Sequence, residues 1–84
     1  MNAAEVKELL EQAISLQECH VEAEGTHFKV IAVGDLFEGM SRVKAQQTIY
    51  QPLSEVIADG SVHAVTIKTF TPEKWQRERK LMML

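Results

Sequence analysis

The feature that most limits the possible folds is a change of hydrophobic period near residue 16. Before it, Val6, Leu9, Leu10, Ala13 and Ile14 recur at steps of three and four, the spacing of one helix face. Asn2 followed by Glu5 has the form of a capping box, so this segment predicts an amphipathic helix over residues 3–15. From Leu16 to Glu24 the period is two. Glu18, His20, Glu22 and Glu24 share one face and Cys19, Val21 and Ala23 the other, which predicts a half-buried strand. Glu24-Gly25-Thr26 supplies a turn into a more apolar strand, His27–Val33, and the two strands are expected to pair as an antiparallel hairpin.

Gly34 to Met40 is a connection carrying Phe37. Ser41 is placed to cap a helix running through Val43 and Gln47 to Tyr50. Pro52 suits the first turn of another short helix with Leu53, Val56 and Ile57, ended by Asp59-Gly60. The β-branched run Val62–Thr69 predicts a third strand, and Thr71-Pro72-Glu73 starts a last helix with Thr71 as its cap. The expected order is αββααβα, an α+β fold with a three-stranded mixed sheet and helices packed on one face. No repeat, low-complexity tract or linker interrupts it, so residues 1–84 are expected to form a single domain.

Composition narrows the function classes. A chain of 84 residues is too short for a two-domain enzyme with a cleft between halves. No apolar run approaches the roughly 18 residues of a membrane span, and the acids near the N-terminus do not match a signal peptide. One cysteine, Cys19, excludes an intrachain disulfide and a thiolate-rich metal cage built by this chain alone. The expected setting is cytoplasmic and reducing. The net charge of −3 argues against wholesale nucleic-acid binding, but it is unevenly placed. Residues 1–38 hold eight acids and two bases, whereas residues 39–84 hold seven bases and four acids.

The crossover from the second to the third strand spans residues 34–61 and contains helices, the kind of connection that joins parallel strands. Parallel strands begin at the same sheet edge. His27 opens the second strand and His63 is the second residue of the third, so neighbouring strands about 4.8 Å apart would gather two imidazoles at one rim. Alternation works against their meeting. His27 is in phase with Lys29 on the outer face, His63 with Val65 and Ile67 on the apolar face.

Other candidates read more simply. Cys19, in phase with Val21, is expected to be a buried, unreactive thiol, and His20 an exposed histidine between Glu18 and Glu22. Lys74, Arg77, Arg79 and Lys80 follow Trp75 in the last helix. They offer either a surface for phosphates or acidic partners, or a solvated face paired locally with Glu73 and Glu78. Trp75 is placed to pack that helix onto the sheet, and Leu81–Leu84 forms an apolar tail. No nucleophile–base constellation, phosphate-cradling glycine loop or Cys-x-x-Cys motif is present, so an enzyme is not expected.

The segments SLQECHVEAEGTHFKVIAVGDLFEGMSRVKAQQTIY and SVHAVTIKTFTPEKWQRERK resemble the BolA family, in its short IbaG-like branch. The FEGMS turn, the VHA strand opening and the TPEKW helix start carry the likeness together. The resemblance implies a class II KH-like (BolA-like) fold and a non-enzymatic, stress-linked partner of monothiol glutaredoxins. In such heterodimers a 2Fe–2S cluster is shared with the glutaredoxin cysteine and glutathione, and no cofactor is expected on the isolated chain. His63 matches the family's ligand histidine. The second ligand in the family comes from the loop between the first two strands, which here is Ala23-Glu24-Gly25-Thr26, and His27 at its downstream edge is the nearest candidate. The alternative implied is a KH-like nucleic-acid-binding transcriptional regulator using Lys74, Arg77, Arg79 and Lys80. Against it stand the missing Gly-x-x-Gly clamp and Ala45-Gln46-Gln47, where other branches carry an Arg-His-Arg run. Without a partner the chain is expected to be a monomer, with a homodimer as the other possibility.

Overall fold

The capping box at the N-terminus is complete. Asn2 accepts from the Glu5 amide at 2.9 Å, and the Glu5 carboxylate accepts from the Asn2 amide at 3.0 Å. It opens helix α1, Ala3–Ala13, whose Val6 and Leu10 lie one turn apart and are fully buried. The helix stops two residues before the periodicity does, because Ile14 turns extended as the C-cap. The computed structural model describes residues 1–82; the end of the apolar tail, Met83 and Leu84, lies outside them.

Strands β1 (Glu18–Glu24) and β2 (His27–Val33) form the expected hairpin, in register from Glu18↔Val33 to Glu24↔His27. Gly25 takes φ +62° at the first turn position, which matches a two-residue type II′ connection. A single 3-10 turn, Asp35–Phe37, follows β2 and buries Phe37. Strand β3 (Ala64–Phe70) runs parallel to β2, in register from His27↔Ala64 to Val33↔Phe70, so the crossover reading holds. The sheet order is β1-β2-β3, and among the described residues both outer strands are unpaired on one side. Cys19, Phe28, Val30 and Ala32 point from the sheet into the core, where they meet Val6 and Leu10 of α1.

Two expectations are corrected. After the 3-10 turn the crossover holds one α-helix where two were expected, α2, Arg42–Ala58, so the order of α-helices and strands is αββαβα. Ser41 caps it, accepting from the Lys44 amide at 3.1 Å, and Pro52 lies inside it. Proline in a helix interior costs about 3 kcal/mol. Ile49 and Leu53, one turn apart across that proline, are both fully buried. Each gains about 1.5–3 kcal/mol by burial, and a break at Pro52 would swing Leu53 off the core face. Val56 and Ile57, beyond Pro52, also pack against the core, and burial of the three side chains together offsets the local penalty.

The second correction concerns the face of the last helix, α3, Pro72–Met82. Helices α1 and α2 cover one face of the sheet, but Trp75 stacks on Phe70 at 5.3 Å and on His20 at 5.5 Å between ring centroids. Alternation puts His20 opposite Cys19 and Phe70 opposite Thr69, so both belong to the face turned away from α1. Thr71 follows Phe70 directly and caps α3, accepting from the Lys74 amide at 3.3 Å. That leaves no chain length in which to cross back, so α3 docks on the side Phe70 dictates.

Candidate functional site

The hairpin turn and the start of β3 build the candidate site. The Thr26 carbonyl accepts from the His63 amide at 2.9 Å and from the Ala64 amide at 3.3 Å. Val62 is buried and donates its amide to the Val56 carbonyl at 3.0 Å, fixing the approach from α2. The Ser61 side chain first, and then the Ser61 amide that Asp59 accepts at 2.8 Å, hold the Asp59 carboxyl below its ordinary value. These bonds set where the strand begins. It starts at Ala64, so His63 lies ahead of β3 and is not its second residue.

That shift resolves the phase problem. His63 is released from strand alternation and is exposed, as is His27 at the first position of β2. The two rings come together with centroids 6.3 Å apart and planes inclined by 32°. Neither imidazole has a hydrogen-bond partner among the described residues, so their nitrogens are available to an outside ligand. No third His, Cys, Asp or Glu joins them to make a group of three among the described residues. The chain can thus offer two imidazoles at one rim but not a complete metal cage.

The remaining candidates are elsewhere. Cys19 is buried at the far end of the hairpin from His27, opposite Ala32. Burial pushes its thiol above the free value, Glu11 adds to the rise and Lys7 partly opposes it. His20 is exposed beside Glu18, with 3.1 Å between its Nε2 and the Glu18 Oε1, and its ring lies on Trp75. Lys74, Arg77 and Lys80 are exposed and Arg79 is half-buried. No carboxylate lies within 4.0 Å of their charged groups among the described residues, so the expected local pairing with Glu73 and Glu78 does not form. The Thr26 carbonyl was not foreseeable, since a main-chain acceptor leaves no mark on residue type.

No helix among the described residues is long and apolar enough to cross a membrane. A family model described as BolA-like protein matches residues 6–74. The chain is 59% identical over 81 residues to the acid stress protein IbaG of Escherichia coli K12, covering 96% of each chain. Among solved structures it is similar to BolA1 from Arabidopsis thaliana, with a TM-score of 0.74 and 32% identity over 84% of this chain and 92% of that one. It is also similar to the BolA domain of SufE1 from the same plant, at a TM-score of 0.75 and 31% identity over 86% and 93%. A match over most of the length in sequence, and the same α+β architecture in space, establish that this chain belongs to the BolA-like protein family.

Proposed function

We propose that this chain is a single-domain, non-enzymatic cytoplasmic partner of a monothiol glutaredoxin. In the heterodimer it shares a 2Fe–2S cluster used for iron–sulfur storage, delivery or sensing, and the acid stress name of the E. coli relative supports a link to stress. The observation that carries the reading is the exposed, unbonded pair His27 and His63, with no third ligand beside it among the described residues. Such a pair suits a shared cluster because the rest of the ligand set must come from a second molecule. An imidazole in place of a thiolate on one iron raises the cluster's reduction potential, which is the chemistry the shared group would bring. The chain's own part is positional. The Thr26 carbonyl fixes the His63 backbone against the turn that also precedes His27, so both rings are presented by one rigid corner.

Anaerobic reconstitution with a monothiol glutaredoxin and glutathione tests this, followed by absorption and circular dichroism. His63→Ala is expected to change the visible spectrum and to speed cluster loss by at least about tenfold. His27→Ala is expected to do the same. A His63→Ala complex with the parent spectrum and loss rate removes that residue from the site and overturns the reading.

A further inference from the structure

Beyond the histidine rim, the free edge of β3 carries features the cluster reading does not use. Two concavities lie along it, of about 1010 and 430 Å³. They share Gln46 and Ile67, so they join into one trough along α2, bounded by β3 and, at its larger end, by Ala13 and Ile14 after α1. The larger part is mixed: Val65 and Ile67 make an apolar, half-buried floor, and its α2 wall sets Val43 and Tyr50, exposed at 67% and 45%, among Gln46, Gln47 and Gln51. The smaller part touches Ile67, Lys68, Thr69 and Phe70 in succession. Successive strand side chains point to opposite faces, so a surface lined by four in a row is lined by the strand's main-chain edge. That edge pairs with no other strand among the described residues.

Its charge is equally one-sided. The chain has twelve acids and nine bases, yet no carboxylate lines either concavity. Lys44 lines the larger, and Arg42, Lys68 and Lys74 line the smaller, all four exposed. We infer that this edge binds an extended acidic segment of a partner protein, one alternating acidic with apolar residues, as a fourth strand beside β3. Main-chain bonds along the open edge supply affinity. Alternate apolar side chains fill the floor over Val65 and Ile67, and the acids meet Arg42, Lys68 and Lys74.

The chain's own β1 has such an alternation, Glu18, Glu22 and Glu24 against Cys19 and Val21. It does not fit, because α1 packs over the face of β1 that would have to enter the trough, and Cys19 is only 3% exposed there. The occupant must be bare on that face, which an unfolded segment is and a second copy is not. Single-stranded nucleic acid matches the charge but has no repeat that matches the main-chain spacing along the strand edge, and of the rings lining the trough only Tyr50 is exposed for stacking, since Phe37 is 6% exposed and Phe70 lies against Trp75.

The probe is a short fluorescein-labelled peptide alternating valine and glutamate, followed by anisotropy at low salt with the full chain. Saturable binding is expected, weakened about tenfold or more by Lys68→Glu. Binding is also expected to slow hydrogen exchange at alternate amides of β3, which mere ionic attraction would not do. His63→Ala is expected to bind the peptide unchanged, so the cluster reading can fail without this one and the reverse. Absence of binding, equal binding of a valine–lysine peptide, or binding without β3 amide protection would each overturn the inference. Displacement of the peptide by an oligothymidylate at lower concentration would assign the edge to nucleic acid instead, and concentration-dependent dimerisation blocked by the peptide would assign it to a second copy.

Discussion

Cys19 shows how one side chain's surroundings settle its chemistry. It faces the core between β1 and α1, and burial raises its pKa because the thiolate is the form that low polarity penalises. Alkylation by iodoacetamide is expected to be at least about a hundredfold slower in the folded chain than in urea, since the thiol reacts only after opening. The sign of its pH effect follows from the same cause. A raised folded value means the stabilising share is intact below the free thiol's 9.0 and is lost as pH rises above it, so urea midpoints should fall on the alkaline side and fall less in Cys19→Ala. An equally steep alkaline loss in the variant would refute the assignment. This burial was readable beforehand, since a residue in phase with Val21 on an alternating strand has one apolar face available to it. His63 was not readable in the same way. Its orientation depends on the strand starting at Ala64, which is decided by Val62 binding Val56 and by Thr26 binding two amides, contacts far apart in sequence.

Elements were legible where pattern and geometry agree locally. The hairpin, α1 and β3 follow from their periods, and the parallel pairing follows from the crossover. The continuity of α2 does not, because a local rule against Pro52 is offset by the burial of Leu53, Val56 and Ile57, which only the assembled core supplies. Nor did the pattern show which face α3 takes. That depends on Trp75, buried on the far side of the sheet with its indole Nε1 lacking a hydrogen-bond partner among the described residues. Trp75→Ala is expected to cost about 3–5 kcal/mol in urea unfolding, as loss of a large buried ring does. Trp75→Phe is expected to cost clearly less. It keeps a ring against Phe70 and His20 and removes a buried N–H whose desolvation penalty is about 1–3 kcal/mol. If phenylalanine proves as damaging as alanine, ring size and not burial of an aromatic plane fixes α3.

Over the whole molecule, the uneven charge seen along the chain becomes a polarity across the sheet. The β1 side carries Glu18, Glu22 and Glu24 on the face turned away from α1, and the β3 side carries Lys68 with Arg42 and Lys74 at its trough. Oppositely charged ends on one sheet invite head-to-tail contact by charge alone, without the strand pairing that α1 blocks, an arrangement that does not close and would grow. Near neutral pH the net charge of −3 opposes it, and the outward glutamates of β1 resist strand pairing. Toward the isoelectric point, about 5.5, the net repulsion vanishes while the opposed ends persist. Light scattering at low ionic strength is therefore expected to show larger particles as pH approaches that point. Their size should fall back when salt shortens the Debye length from about 30 to about 10 Å. Glu18→Gln with Glu22→Gln should reduce the effect by weakening the acidic end. Particles that survive added salt would mean that apolar surface, such as Val43 and Tyr50, and not the charge polarity of the sheet, holds the copies together.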